Sequence, residues 1–271
     1  MEPIHFIHLT DTHINAPHRE GLYQRNMADN LRTVLAHVQA SGVRPALFVI
    51  SGDLAHEGDA EDYRFLRELL EAECGAFGVP FFVSLGNHDH RAPFREGFLG
   101  EAPSDEPYYF SVIIDGLRLI VLNSQVENSP IGTVDENQLA WLDDVLKTPA
   151  PVGSVVVLHH PMLPPLGSVM DDFHLTNRDE VAGVINGRDV IGILAGHIHA
   201  NRVASFHGMI SAAGSGTAFG LEMADDRTVR FFENRSYNVV TVHRGSMNVQ
   251  TLTLPGMQRE LSRKPLENLL G

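Results

Sequence analysis

Short apolar runs recur along the chain, and each ends in a polar cluster rich in aspartate and histidine. Ile4–Leu9, Ala46–Ser51, Phe81–Leu85, Val155–Leu158 and Val190–Ala195 are such runs, rich in Val, Ile and Phe. Runs of this length predict strands of a parallel sheet covered on both faces. Between them the apolar spacing changes to 3–4 residues and predicts helices. Gln24–Ala40 carries Leu31, Val34, Leu35 and Val38, and Ala60–Glu73 carries Phe65, Leu66, Leu69 and Leu70. Asp135–Leu146 carries Leu139, Leu142 and Val145, and Thr176–Glu180 reads as a capped start before Val181, Val184 and Ile185. Tyr108–Ile114 and Leu117–Asn123 flank Asp115-Gly116, which predicts a hairpin. After Gly196 strands alone are predicted: Val203–His207, Met209–Ala213, Val229–Phe232, Tyr237–His243 and Met247–Leu254.

No linker, repeat or low-complexity tract divides this pattern. One domain over residues 1–255 is expected, built as two packed sheets with helices outside. Residues 256–271 are polar and contain proline, which suits a loose tail or a partner-docking arm. The formal charge is −14, from 20 basic and 34 acidic residues. So acidic a chain suits neither nucleic acid nor an anionic membrane. No run approaches the ~20 apolar residues of a membrane helix. Cys74 is the only cysteine, which excludes an intrachain disulfide and fits a reducing compartment. With no basic-then-apolar leader at the N-terminus, a cytoplasmic protein is expected. The sequence leaves open assembly into a homodimer or higher homo-oligomer.

The chemistry lies in the polar clusters. Asp11-Thr12-His13, Gly52-Asp53, Gly86-Asn87-His88-Asp89, His159-His160 and Gly196-His197-Ile198-His199 each follow a predicted strand. Ligands of open α/β sheets bind beyond the carboxyl ends of strands, so the clusters are expected to converge. In extended backbone Asp11 and His13 would point the same way, as would His197 and His199. Carboxylate, amide and imidazole donors suit Mn, Fe, Co or Zn. There are too many for one four-coordinate ion, and two ions bridged by one carboxylate would use them all. His56 and His90 fall near these clusters, and His160 beside one. The Met162–His174 segment is a long loop placed to shape a substrate mouth. Asp59, Glu61 and Asp62 read as a solvated helix start.

The order D-x-H, G-D, G-N-H-D, H and G-H-x-H, spread from Thr10 to Ala200, resembles the calcineurin-like metallophosphoesterase superfamily. That resemblance implies an α/β fold, a four-layer α/β/β/α sandwich of two mixed sheets. It implies that Asp11, His13, Asp53 and His199 hold one divalent metal. Asp53 would bridge to a second, held also by Asn87, His159 and His197. Position 56 is histidine where purple acid phosphatases carry tyrosine, and Gly52–Gly58 departs from the protein Ser/Thr phosphatase pattern. His8–His13, Leu22-Tyr23, Ser51–Leu54 and Leu194–His199 resemble bacterial class III cyclic-nucleotide phosphodiesterases and glycerophosphodiesterases. Asn123-Ser124 stands where many relatives have Asp-Ser. The implied activity is hydrolysis of small phosphodiesters by a metal-bridging hydroxide, with His88 as general acid and Asp89 orienting it. A phosphomonoesterase, a nuclease and a catalytically silent metal-binding scaffold are the alternatives. The acidic charge counts against the nuclease, and the full ligand set against the scaffold.

Overall fold

The computed structural model describes residues 2–56, 58–163, 173–225, 227–256 and 258–269. Alternation along the strands sets its layers. In β1 (Ile4–Leu9), Ile4 and Phe6 face one apolar core while Ile7 and Leu9 face another. β2 (Phe48–Ser51) repeats this, with Val49 on the first face and Phe48 and Ile50 on the second. β5 (Leu117–Val121) and β6 (Gly153–Val157) split in the same way: Leu119, Val121, Val155 and Val157 join the first core, and Ile120 and Val156 a third. A strand buried on both faces needs a layer on each side. Two such sheets sharing a central core give the four layers the sequence implied.

One sheet has the order β13-β12-β1-β2-β3, with β3 (Phe81–Ser84), β12 (Ser236–His243) and β13 (Ser246–Thr253). The other runs β4-β5-β6-β7-β9-β8, with β4 (Phe110–Ile114), β7 (Val190–Ala195), β8 (Arg202–Phe206) and β9 (Met209–Ala213). Each mixes parallel pairs, such as β1 with β2 and β6 with β7, with antiparallel edges. Helices α1 (Met27–Ala40) and α2 (Ala60–Gly75) cover the first sheet. A short helix, α3 (Arg91–Phe94), runs into a π turn after β3. Helices α4 (Glu136–Leu146) and α5 (Arg178–Ile185) cover the second sheet. Asp115-Gly116 and Arg244-Gly245 both take positive φ at the tips of their hairpins, as two-residue turns between right-twisted strands require.

Two strands were absent from the sequence reading. β10 (Gly220–Met223), β11 (Thr228–Phe232) and β14 (Glu260–Pro265) form a separate sheet in the order β10-β11-β14. Where a loose tail or docking arm was expected, Glu260–Pro265 therefore pairs with β11, and a 3-10 turn over Leu266–Leu269 buries Leu266. The run Glu-Leu-Ser-Arg-Lys-Pro has no apolar alternation, so only its partner makes it a strand. α1 begins at Met27 rather than Gln24 because the Asn26 side chain caps it, accepting from Ala28 N at 3.0 Å. Asp62 is not solvated. It is fully buried, accepting from Ala16 N at 2.7 Å and Asp59 N at 3.2 Å, and so ties the loop after β1 to the start of α2. Residues 164–172 of the expected mouth loop lie outside the described residues.

Candidate metal centre

The five polar clusters meet at the carboxyl ends of β1, β2, β3, β6 and β7. The loops after β1 and β2 run side by side, Asp11 N donating to Gly52 O, His13 N to Asp53 O and Ile14 N to Leu54 O, at 3.1, 3.0 and 2.9 Å. That pairing does not extend the strands. Asp11, His13, Asp53, His197 and His199 all take positive φ, between 44° and 71°. The extended backbone expected for the two D/H-x-H pairs is thus replaced by left-handed turns. Asp and His tolerate that region better than most side chains, yet each such residue costs ~1–3 kcal/mol. Strain held at so many neighbouring positions marks a functional constraint. The glycines serve close approach. A side chain at Gly86 would overlap the Asp53 carboxylate and amide, and one at Gly196 would overlap Thr10 and Asp11.

Donor atoms fall into three groups: His13 with His56 and His88 at the exposed side, and two that share Asp53. Of the two that share Asp53, one holds Asp11, His13 and His199, all buried, and the other holds His159 and His197. His13 Nε2 and His199 Nε2 face each other at 3.3 Å, and His199 Nε2 lies 3.3 Å from Asp11 Oδ1. Asp53 points Oδ2 toward His13 Nε2 at 3.7 Å and Oδ1 toward His159 Nε2 at 3.3 Å. Asn87 Oδ1 sits between His159 Nε2 and His197 Nδ1, at 3.1 and 2.9 Å.

The far side of the rings fixes which nitrogen looks inward. His159 Nδ1 lies 2.8 Å from Ser51 O and His199 Nδ1 lies 3.0 Å from Phe219 O. A carbonyl can only accept, so both Nδ1 atoms carry a proton and both Nε2 atoms face the cluster. Backbone amides hold the carboxylates: His197 N donates to both oxygens of Asp11 at 3.2 Å, and His88 N donates to Asp53 Oδ1 at 3.0 Å.

The electrostatics of the cluster call for a cation. Burial alone would raise the Asp53 carboxyl, but His159, His88 and His13 overcome it and hold Asp53 well below the usual range. Burial raises Asp11, an effect His199 and His159 oppose. Burial drives His13 and His197 well below the ordinary imidazole value, leaving neutral rings with free lone pairs. Burial would lower His159 as well, yet Asp53 lifts it to about 9. Positive charge is therefore favoured between the two carboxylates. Carboxylate, amide and imidazole donors converging at these distances fit divalent metal.

His88 is exposed beside this cluster, its ring edge-on to His13 at 5.0 Å between centroids and stacked on His56 at 5.5 Å. The expectation that Asp89 orients that ring is corrected. The Asp89 carboxylate is buried and accepts from Gly86 N, Leu54 N, Ala55 N and Tyr63 Oη, at 2.8–3.2 Å. Asp89 locks the loop that carries Asn87 and His88. Its carboxyl is nonetheless pushed up to about 6, by burial first and then by Asp53. His160 is buried behind the site with Nδ1 2.9 Å from Ser124 Oγ, and its ring lies 4.4 Å from that of His197. His90 does not reach the mouth; it lines a separate cavity with Arg91 and Gln125. Asn123 accepts from Arg91 at 3.0 Å, away from the donors.

A cavity of about 470 Å³ opens over the cluster. His56 and His88 line it, as do Asn128–Pro130, Phe173 and an aromatic wall of Tyr23, Phe219 and Phe231. Phe219 stacks on His199 with centroids 4.0 Å apart. The wall was not foreseen from the sequence, because Tyr23 lies some 200 residues from the β10–β11 hairpin that carries Phe219 and Phe231.

A family model described as calcineurin-like phosphoesterase matches residues 4–201. The chain belongs to the calcineurin-like phosphoesterase family. The match spans every donor described above, and the protein is a metal-dependent phosphoesterase. The phosphoesterase is 37% identical over 213 residues to a cAMP/cGMP dual specificity phosphodiesterase of Mycobacterium tuberculosis, covering 79% of this chain and 67% of that one. It is 36% identical over 219 residues to a probable cyclic nucleotide phosphodiesterase of Rhodococcus erythropolis, covering 80% and 72%. A dimetal phosphatase from Danio rerio shares the fold, with TM-score 0.60, 17% identity and coverage of 93% and 99%. No helix among the described residues is long and apolar enough to cross a membrane.

Proposed function

We propose that this phosphoesterase hydrolyses small phosphodiesters, cyclic nucleotides or glycerophosphodiesters, at a dinuclear metal centre. Asp11, His13, Asp53 and His199 would hold one ion, and Asp53, Asn87, His159 and His197 the other. The observation that carries this reading is the approach of His13 Nε2 to His199 Nε2 at 3.3 Å, beside an Asp53 whose two oxygens face different histidines. His199 Nε2 offers a lone pair there, and a His13 ring carrying its proton on Nδ1 would offer a second to the same cation. When bound, two divalent ions polarise phosphoryl oxygens and make a water acidic near neutral pH. Zn, Mn, Fe and Co all suit the donor set.

The residues divide the remaining work. Asp11 and Asp53 supply two negative charges, and Asn87 ligates without adding a third beside an anionic substrate. Asp89 and Gly86 keep the Asn87 loop against Asp53. A water that has given one proton to solvent would bond through its oxygen to phosphorus as the bond to the leaving alcohol oxygen breaks. His88, exposed at the cavity edge, gives its imidazole proton to that oxygen, a contribution of roughly 10²–10⁴ in rate. Supporting the substrate class are the names of two relatives at 36–37% identity and a cavity that leaves room beyond the phosphoryl group. The −14 charge and the buried thiol of Cys74 suit a small-molecule enzyme of the reducing cytoplasm. The test is a panel of cyclic nucleotides, glycerophosphodiesters and monoesters on metal-loaded protein. Diesters should be turned over faster than monoesters. A much higher kcat/KM on simple monoesters than on any diester would overturn the reading.

A further inference from the structure

The active-site cavity is lined in part by a segment of the chain with no role in the chemistry so far. Lys264, Asn268 and Leu269 line it together with Tyr23, Leu221 and Phe231. The first three lie on β14 and the turn that follows it, far in sequence from every donor and beyond the family match at 4–201. Pairing of Val229 with Lys264 in the β11–β14 ladder sets the position of this segment, and burial of Leu266 anchors its end. The Lys264 ammonium lies 5.5 Å from the centre of the Phe231 ring. Its basic neighbours Arg230 and Arg263 are paired with Glu222 and Glu260. Among the described residues no carboxylate lies within ion-pair distance of Lys264.

The chemistry of this wall is specific. Tyr23, Leu221, Phe231 and Leu269 present apolar surface. Lys264 contributes donors and a positive charge, and Asn268 both donors and acceptors. Tyr23 and its neighbour Gln24 both take positive φ, 56° and 58°, so the loop that aims the Tyr23 ring is strained into place. A flat ring with polar edges satisfies such a surface. An ammonium group does not, because it would meet Lys264. The cavity volume of about 470 Å³ is that of a small-ligand site.

We propose that the C-terminal segment Glu260–Leu269 forms a distal subsite of the active-site cavity, with Lys264 as a specificity-determining residue. The subsite takes the uncharged, ring-bearing organic group of the substrate and turns away cationic amino-alcohol groups. This rests on the phosphodiester reading above and adds the residues that choose among diesters. Binding to metal-loaded full-length protein tests it without turnover. Inorganic phosphate, 5′-AMP and phosphoethanolamine are titrated calorimetrically into the wild type, Lys264→Met, Lys264→Glu and Leu269→Gln, with thermal unfolding as a check on folding. The wild type should bind AMP about tenfold more tightly than phosphoethanolamine, the usual worth of one stacked base. Lys264→Met, which keeps the stem over Phe231, should admit phosphoethanolamine better, and Lys264→Glu should bring the two ligands within about threefold. Leu269→Gln should weaken AMP about threefold. Inorganic phosphate should change little in any variant.

Equal wild-type affinity for AMP and phosphoethanolamine would overturn the proposal. So would a loss in Lys264→Glu that is the same for all three ligands, which would reduce Lys264 to a long-range charge. The AMP preference without diester turnover would end the phosphodiesterase reading and leave the subsite standing. Diester turnover without the preference would do the reverse.

Discussion

The floor of the cavity and its mouth are held by different means. At the floor the donors sit at strand ends of two large sheets, and His159 and His199 each meet a main-chain carbonyl behind the ring. Asp11 and Asp53 accept from backbone amides of other loops, and Gly86 and Gly196 leave no space for a side chain. The mouth rests on the separate β10-β11-β14 sheet and a short turn, with Lys264 exposed and Tyr23 half-buried. The family match ends at residue 201, before any of these strands. A reaction needs a few atoms placed to fractions of an ångström, while recognition of an organic group tolerates varied surfaces. The floor is therefore where substitutions should act on metal and rate, and the mouth where they should act on choice of ligand.

The sharpest break of that contrast is at Asp53. Asp53→Asn should reduce turnover to background and lower the metal content, since it removes one of two carboxylates facing the cations. Near-normal activity with two metals per chain would mean that Asp53 does not bridge. His88→Ala separates rate from metal. It should leave metal content intact and lower kcat by roughly 10²–10⁴ on substrates with an alkoxide leaving group. The loss should be smaller for p-nitrophenolate, which leaves without a proton. Equal losses on both substrates would assign His88 to holding the phosphoryl group.

Gly86→Ala tests whether close approach, not ligation, sets the floor. Its methyl group would collide with the Asp53 carboxylate, and metal affinity should drop about 10–100-fold, as when a residue supporting a ligand is lost. Unchanged affinity by chelator competition would show that the loop yields freely. The smallest effect is expected at His8, under the floor, where Nε2 lies 2.8 Å from Ser51 Oγ and Nδ1 lies 3.0 Å from Asn238 Nδ2. Burial holds His8 down at about 3, against 6.5 for a free imidazole. Between these values the unfolded chain binds a proton that the folded chain refuses. The contribution of His8 is thus complete above pH 6.5 and is lost as pH falls toward 3, by about 1.4 kcal/mol per pH unit. His8→Asn should flatten the fall in unfolding free energy between pH 7 and 5. A slope equal to that of the wild type would place the titration elsewhere.

Local periodicity was enough to locate most elements. β1, β7 and β9 begin and end where the apolar runs do, because strands buried on both faces admit little else. It also marked the residues that the structure brings together, since Asp, Asn and His at strand ends are a chemical signal independent of geometry. The backbone that unites them was not legible. Left-handed φ at Asp11, His13 and Asp53 follows from pairing between the loops after β1 and β2, a contact across some 40 residues of sequence. The role of Asp89 was hidden for the same reason: its partners Leu54, Ala55 and Tyr63 lie on other segments. β14 has no pattern of its own and becomes a strand only beside β11. What the sequence determined by itself was the alternation of the strands and the donor types at their ends, both properties of neighbouring residues. Tertiary structure alone decided the strained turns that aim those donors and the C-terminal segment that lines the same cavity, because both arise from hydrogen bonds and packing between segments the chain keeps far apart.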